Sequence, residues 1–171
     1  MRGLLLAGAL VCFGCRGRDQ KRATAIGKPV PEVILPDLDG KMVRLSDFRG
    51  NVVVVNFWAT WCPPCVEEMP SLEKLQNKLG RSGLEVVAIS VDDDLEAIRQ
   101  FQENFGLSFT LLQDEGAKVS HAFGTYKYPE TYVLDREGSL AWKIVGPREW
   151  TSPQVLVNLT HLLGAAMSSE S

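Results

Sequence analysis

The chain has few of the residues that build metal centres or bind nucleic acid. Its 171 residues include only two histidines and four cysteines, and its formal net charge is -3. This acidic balance, without a long basic stripe, argues against a nucleic-acid-binding protein. No internal repeat occurs, and residues 166–171 form a short polar tail. With 45% hydrophobic and 23% charged residues, the composition predicts one globular domain with a substantial core.

The chain also lacks an apolar run of the ~20 residues that a membrane-spanning helix needs. Its N-terminal apolar stretch, Leu4–Phe13, is ten residues long, which suits the core of a secretory signal. Gly14-Cys15 resembles the lipobox of bacterial lipoproteins, in which the cysteine is lipidated, although Cys12 and Phe13 depart from that pattern. Ordinary cleavage and an uncleaved anchor are the alternatives. We expect residues 1–15 to be a signal or lipoprotein segment, with Cys15 lipidated, and the domain to be extracytoplasmic and tethered to a membrane.

Among the residues that are present, Cys62-Pro63-Pro64-Cys65 is the most informative motif. Two cysteines at this spacing can close a small disulfide and reopen it. Residues 51–57 are rich in β-branched and aromatic side chains and predict a buried strand. Apolar residues then recur at helical spacing after the motif. The dithiol therefore lies where a strand ends and a helix begins, and the N-terminus of a helix favours a thiolate.

Other uses of a CxxC motif fit the sequence less well. A zinc site needs two more ligands, but Cys12 and Cys15 lie in the N-terminal segment and the two histidines are isolated. A covalent haem site needs a histidine directly after the second cysteine, where this chain has Val66. A structural disulfide would close an unusually small loop. We therefore predict a redox-active dithiol, with no metal and no other cofactor.

The pattern of the remaining chain predicts an α/β domain over residues 29–165, preceded by a basic linker over residues 16–28. Strands alternate with helices, and a hairpin lies near each end, which favours a mixed sheet covered on both faces. The predicted elements are a hairpin at 33–45, strands at 51–57, 84–91 and 109–112, helices at 63–79, 95–104 and 117–123, a hairpin at 131–145, and a last helix from Pro153 to about Gly164.

Several stretches resemble the TlpA/ResA-like group of thioredoxin-fold proteins. They are residues 54–65, Pro70 five residues after the second cysteine, and the run 128–135, Tyr-Pro-Glu-Thr-Tyr-Val-Leu-Asp. The resemblance covers about residues 27–163. It implies a thioredoxin-like mixed sheet flanked by helices, with an N-terminal β-hairpin and a central strand-helix insertion at 84–105. The group comprises exported, membrane-tethered thiol-disulfide reductases, several of which serve cytochrome c maturation.

The resemblance also implies partners and roles. The partners would be protein disulfides, with apocytochrome c as a candidate, and a membrane thiol-electron donor; we expect the chain to be a monomer. Cys62 would be the exposed nucleophile and Cys65 the more buried resolving thiol. Pro129 would be the cis-proline beside the dithiol, leaving the backbone of Tyr128 free to pair with an extended substrate segment.

Residues next to the cysteines are candidates for substrate binding. We expect Trp61 to form a partly exposed wall of the site, and Tyr128 is larger than the residue usual before the cis-proline. Pro63 and Pro64 have no N–H groups to donate to a thiolate. This lack favours a moderately reducing dithiol.

The sequence allows two interpretations of the acid beside the dithiol. Asn56 occupies the position at which thioredoxins carry a buried aspartate. Asp93 could replace that acid, or it could cap the helix that follows by forming a capping box with Glu96. We expect Glu67 and Glu68 to lie on a solvated helix face.

Two other classes of protein need to be considered. A peroxiredoxin-like thiol peroxidase shares the fold, but it needs a threonine three residues before its reactive cysteine. This chain has Ala59 at that position and Thr60 one residue later. A binding module that works without a dithiol would have no need of the CxxC motif.

Overall fold

The computed structural model describes residues 24–165. The predicted signal segment with Cys15, the linker up to residue 23 and the tail of residues 166–171 lie outside the described residues.

Seven strands and four helices alternate along the described chain. None of the helices within residues 24–165 is long and apolar enough to cross a membrane. The elements in chain order are β1 (Ile34–Pro36), β2 (Met42–Arg44), β3 (Val52–Trp58), α1 (Pro63–Leu79), β4 (Leu84–Ser90), α2 (Leu95–Phe105), β5 (Thr110–Gln113), α3 (Lys118–Phe123), β6 (Glu130–Leu134), β7 (Leu140–Val145) and α4 (Pro153–Ala165). Each lies within a few residues of its predicted position.

The strands form two sheets. β1 and β2 make an antiparallel hairpin, and the other five strands form a mixed sheet in the order β5-β4-β3-β6-β7. β3 is parallel to β4 and antiparallel to β6. The end of β3, the end of β4 and the start of β6 therefore meet at one edge of the sheet. That edge carries the dithiol, the loop after β4 and Pro129.

The central strand β3 is buried on both faces, as its composition predicts. Its residues alternate between two apolar clusters because successive side chains of a strand point to opposite faces. Val52, Val54 and Trp58 face a cluster that includes side chains of α1, α2 and α4. Val53, Val55 and Phe57 face a cluster that includes the hairpin and α3. The predicted sheet covered on both faces is confirmed.

Residues 24–29 lie against the outer edge of the sheet. The amide of Gly27 donates to the carbonyl of Leu140, 2.8 Å away, and the amide of Leu140 donates to the carbonyl of Lys28, 2.9 Å away. The hydroxyl of Thr24 donates to the carbonyl of Phe123 over 3.0 Å. The last residues of the predicted linker therefore contact the domain at the start of β7.

The packing of helix α1 against the sheet can be tested by shortening one of its buried side chains. Leu72 is fully buried against the sheet, so Leu72→Ala should lower the free energy of unfolding by about 2–5 kcal/mol, the usual cost of such a cavity. Urea unfolding measures this loss. Val157→Ala is the matched control, because Val157 lies on a helix but is 63% exposed; its change should stay below about 0.5 kcal/mol. Equal losses in the two variants would contradict the packing described for α1.

Candidate active site

The dithiol begins helix α1 directly beyond the central strand. Cys62 is the N-cap residue of α1, with extended backbone angles, and Pro63 is the first helical residue. Cys62 and Cys65 are joined by a disulfide whose Cα atoms are 5.3 Å apart, a separation usual for such bonds. The turn from β3 into the helix is closed by the amide of Cys62, which donates to the carbonyl of Ala59 over 3.2 Å.

The start of α1 offers few hydrogen-bond donors to a thiolate. Its first two residues, Pro63 and Pro64, carry no N–H. The next two amides, of Cys65 and Val66, both donate to the carbonyl of Cys62, at 3.0 and 3.1 Å. The four amides that a helix usually leaves unpaired at its N-terminus are therefore missing or already used.

Cys62 is more buried than the sequence suggests, whereas Cys65 is buried as expected. Cys65 is fully buried, and Cys62, expected to be exposed, is only 5% exposed. The reason is that both belong to the apolar cluster between α1 and the sheet, against which Tyr128 also packs. The predicted order, with Cys62 more accessible than Cys65, is retained, but the difference in this disulfide form is small.

Two aromatic side chains flank the dithiol. Trp61 is 65% exposed, and its ring meets that of Tyr128 edge-on, with centroids 6.3 Å apart. The hydroxyl of Tyr128 lies 2.8 Å from that of Ser120 on α3. The amide of Ser120 in turn donates to the buried carboxylate of Asp114 over 2.8 Å. The side chain of Tyr128 is therefore fixed by hydrogen bonds through Ser120 to Asp114, whereas the side chain of Trp61 is open to solvent.

Pro129 begins the segment that leads into β6. It is buried, and the peptide bond between Tyr128 and Pro129 is cis. The carbonyl of Pro129 accepts a hydrogen bond from Gly146 over 2.9 Å. Within residues 24–165 the backbone N–H and C=O of Tyr128 have no hydrogen-bond partner, so both can be used by another chain.

Glu68 is a buried acid that the sequence interpretation placed wrongly on a solvated helix face. It is 3% exposed. Its carboxylate accepts from the amide nitrogen of Asn56, at 2.6 Å, and from the backbone N–H of Arg148, at 2.8 Å. Asn56 on β3 therefore holds a buried carboxylate of α1 even though it is not itself an acid.

The burial of Glu68 changes the pKa of its carboxyl group. Desolvation raises its pKa to about 7, against the opposing effects of the Arg148 amide and of Asn56. Glu68 follows Cys65 by three residues, and side chains at this spacing share a helix face. Spacing could have revealed its burial, because residues 68, 72, 75 and 79 follow the buried stripe of α1.

The three consecutive aspartates after β4 have different environments. Asp94, rather than Asp93, is the N-cap of α2 and accepts hydrogen bonds from the amides of Glu96 and Ala97. The capping-box interpretation of Asp93 is therefore wrong by one residue. Asp93 is exposed, and its carboxylate accepts from the amide of Gly116 over 3.3 Å. Asp92 is buried, and its carboxylate accepts a hydrogen bond from the backbone N–H of Thr60, in the turn that leads to Cys62.

A buried ion pair that the sequence interpretation missed lies next to Pro129. Glu130 is fully buried and pairs with Lys143 of β7. The same carboxylate accepts from the hydroxyl of Tyr132 at 3.0 Å and from the amide of Tyr126 at 3.3 Å. Burial alone would lower the pKa of Lys143, but its bonds to Glu130 and Tyr132 raise it above the ordinary value. The pair fixes the loop before Pro129 to the sheet.

No three histidine, cysteine, aspartate or glutamate side chains within residues 24–165 are grouped so that they could hold a metal ion. The buried carboxylates Glu68, Asp92 and Glu130 are each hydrogen-bonded to neighbouring protein groups.

A CxxC pair at the start of a helix, beyond the central strand of a mixed sheet and beside a cis-proline, defines a thioredoxin-like thiol-disulfide oxidoreductase. The chain belongs to the Redoxin family, whose model matches residues 25–159. The predicted TlpA/ResA-like resemblance and the predicted fold class are confirmed by this match and by the similar proteins that follow.

The chain is similar to curated thiol-disulfide oxidoreductases. It is 35% identical over 126 residues to ResA of Bacillus thuringiensis (strain Al Hakam), covering 74% of this chain and 73% of the relative. It is 37% identical over 127 residues to ResA of Geobacillus thermodenitrificans, with the same coverage. These relatives confirm the predicted enzyme class.

Among solved structures, the chain is similar to one from Chlorobium tepidum assigned as a thiol:disulfide interchange protein DsbE. The TM-score is 0.77 at 29% identity, and the match covers 83% of this chain and all of the other. The solution structure of a protein of Neisseria meningitidis assigned as a thioredoxin gives a TM-score of 0.69 at 32% identity, covering 84% of this chain and 93% of the other.

Because the pKa of Glu68 is raised, its ionisation should destabilise the folded protein. Between its ordinary pKa of 4.5 and about 7, the folded state holds more protons than the unfolded state, so stability falls as pH rises. In Glu68→Gln this loss is absent. Relative to the wild type, the variant should gain up to about 3 kcal/mol of stability between pH 4.5 and pH 8, measured by urea unfolding at several pH values.

Glu67→Gln is the matched control for this test, since Glu67 neighbours Glu68 on α1 but is exposed. Its stability relative to the wild type should change little with pH. If Glu68→Gln and the wild type lost stability in parallel over this range, Glu68 would not be a buried acid with a raised pKa.

Proposed function

We propose that this thiol-disulfide oxidoreductase works outside the cytoplasm, tethered to a membrane by residues 1–15, and reduces disulfides in exported proteins. In this proposal apocytochrome c is a substrate and a membrane thiol-electron donor returns the enzyme to its dithiol form. The observation that carries the enzymatic part is the Cys62–Cys65 disulfide at the start of α1, next to an unpaired stretch of backbone at Tyr128.

The site provides a place for an extended substrate segment. An unpaired N–H and C=O can pair with an incoming strand, as in other cases of strand addition to a protein edge. Tyr128 offers both groups within the described part of the chain, and Trp61 adds an exposed ring next to that of Tyr128. A substrate cysteine in such a segment would be brought to Cys62.

The proposed reaction is a two-step exchange. The Cys62 thiolate attacks one sulfur of the substrate disulfide, which forms a mixed disulfide and releases the other substrate sulfur as a thiolate. Cys65 then loses its proton and attacks the sulfur of Cys62, releasing the second substrate thiolate. Two electrons have passed to the substrate, and the enzyme is left with the Cys62–Cys65 disulfide.

The second step needs a group that takes the proton of Cys65. Glu68 shares a helix face with Cys65, and its pKa of about 7 lets its carboxylate accept a proton near neutral pH. We assign this role to Glu68 rather than to Asp93, because the carboxylate of Asp93 is exposed and bonds to Gly116.

The start of α1 favours the direction of reduction. A thiolate that is held by several donors stabilises the dithiol form and makes a protein a strong oxidant. Here Pro63 and Pro64 have no N–H, and the next two amides are used by the carbonyl of Cys62. The dithiol form is therefore less stabilised, which supports a reducing role.

Replacing Cys62 and replacing Cys65 should have different effects on the reaction. Cys62→Ser should abolish reduction of insulin disulfides, because the attacking thiolate is gone. Cys65→Ser should still attack but not resolve, so it should accumulate a mixed disulfide with the substrate, visible on a non-reducing gel. Retained activity in Cys62→Ser would end the catalytic proposal, and trapping by Cys62→Ser instead would reverse the two roles.

The same preparations decide between this proposal and a thiol peroxidase. A thiol-disulfide reductase should reduce insulin and a disulfide-bonded apocytochrome c peptide, and should consume hydrogen peroxide no faster than Cys62→Ser does. Rapid peroxide consumption by the wild type, without insulin reduction, would favour the peroxidase.

The tether is tested at Cys15. If Cys15 carries the lipid, the full-length protein should fractionate with membranes, and Cys15→Ala should be released or remain unprocessed. Cys12→Ala is the control, since it removes a cysteine from the same lipobox-like stretch that is not expected to carry the lipid. Membrane fractionation of Cys15→Ala after normal processing would reject lipidation and favour an anchor formed by the apolar segment.

A further inference from the structure

Asp92 is a buried carboxylate at the active-site edge that the proposed reaction does not use. It lies two residues beyond the end of β4 and is 5% exposed. The pairing of β4 with β3 continues up to this point, because the amide of Val91 donates to the carbonyl of Trp58 over 3.0 Å. The chain at Asp92 therefore runs beside the residues that connect β3 to the dithiol.

The partners of Asp92 show what it holds. One carboxylate oxygen accepts from the hydroxyl of Thr60 at 2.7 Å, and the other accepts from the backbone N–H of Thr60 at 2.9 Å. The second oxygen also accepts from the hydroxyl of Ser90 at 2.5 Å. No lysine, arginine or histidine within residues 24–165 forms an ion pair with Asp92. Two of the three hydrogen bonds that compensate its burial thus come from Thr60.

Thr60 is part of the turn that places the first cysteine. The turn runs from Ala59 to Cys62 and is closed by the Cys62 amide on the Ala59 carbonyl. Trp61 on its outer side is 65% exposed and packs edge-on against a single ring, that of Tyr128, within the described part of the chain. The two bonds to Asp92 are therefore the polar contacts that hold the middle of the turn from the inside.

We propose that Asp92 is a positioning residue for the dithiol, acting through Thr60 to hold the turn that fixes Cys62 relative to Cys65. Two thiols held close together form a disulfide at a high effective concentration, and looser positioning lowers that concentration. Loss of the Asp92–Thr60 contact therefore makes the disulfide form less stable relative to the dithiol. The neighbouring aspartates have other roles: Asp94 caps α2, and Asp93 bonds to Gly116.

The test is the equilibrium constant of the purified protein with reduced and oxidised glutathione. Asp92→Ala removes both bonds to Thr60, and it should lower the constant for disulfide formation about tenfold, a shift of about 30 mV toward a more oxidising potential. Thr60→Val keeps the bond from the backbone N–H but loses the one from the hydroxyl, and its shift should be smaller and in the same direction.

Asp92→Asn separates position from charge. The amide oxygen of asparagine can still accept from the backbone of Thr60, and its nitrogen can donate to the Thr60 hydroxyl. The variant should therefore stay within about twofold of the wild-type constant while losing the charge. Asp94→Asn is the control: it removes a carboxylate two residues away but keeps a good helix cap, and its constant should equal that of the wild type.

Thermal unfolding of the same variants distinguishes positioning from general stability. A lower melting temperature in Asp92→Ala with an unchanged glutathione equilibrium would show that Asp92 only stabilises the fold, which overturns the proposal. A shift in Asp92→Asn as large as that in Asp92→Ala would assign the effect to charge and also overturn it. If Asp92→Ala does not fold, Thr60→Val decides: a shifted constant supports the positioning role, and an unchanged one contradicts it.

Discussion

The pairing of β3 with a parallel β4 on one side and an antiparallel β6 on the other determines where every group of the active site lies. Parallel strands end at the same edge of a sheet, and an antiparallel neighbour begins there. The turn after β3, the loop after β4 and the segment before β6 are therefore brought together although they are far apart in sequence. Because β3 is buried on both faces by apolar packing, a slip in its register would disturb the core and the site together.

Three carboxylates are buried among the elements that this pairing brings together. Glu68, Asp92 and Glu130 are each almost fully buried, and burial of a charge is costly unless the group is hydrogen-bonded or paired. The cost of burial is offset differently for each of the three carboxylates. Glu130 pairs with Lys143, Asp92 accepts three hydrogen bonds from neutral donors, and Glu68 accepts from Asn56 and Arg148 while its pKa rises to about 7. The acid with the weakest compensation for its charge is thus the one suited to exchange protons.

The fold could be predicted from the sequence because its signals are local. The four valines before Asn56, the helical spacing from Val66 to Leu79 and the Pro153 start of α4 each indicate an element without reference to the rest of the chain. The errors concern burial of polar groups, which depends on partners distant in sequence. The helical spacing of Glu68 with Leu72, Leu75 and Leu79 does indicate a buried position. Nothing local, however, reveals Asn56 and Arg148 as the partners that allow a carboxylate to be buried there. The assignment of the cap to Asp93 failed because three successive aspartates satisfy the same cap preference, and only the backbone path selects Asp94.

The CxxC motif is therefore an incomplete description of this dithiol. In many helices the first amides stabilise a neighbouring anion, but here two prolines and the carbonyl of Cys62 leave the start of α1 with little to donate. Groups outside the motif must then contribute more to the equilibrium between the dithiol and the disulfide. Glu68 lies on the helix face of Cys65, and Asp92 holds the turn that carries Cys62. In the roles proposed for them, Glu68 acts on Cys65 and Asp92 acts on Cys62, so the chemistry of the pair depends on residues contributed by α1 and by the loop after β4.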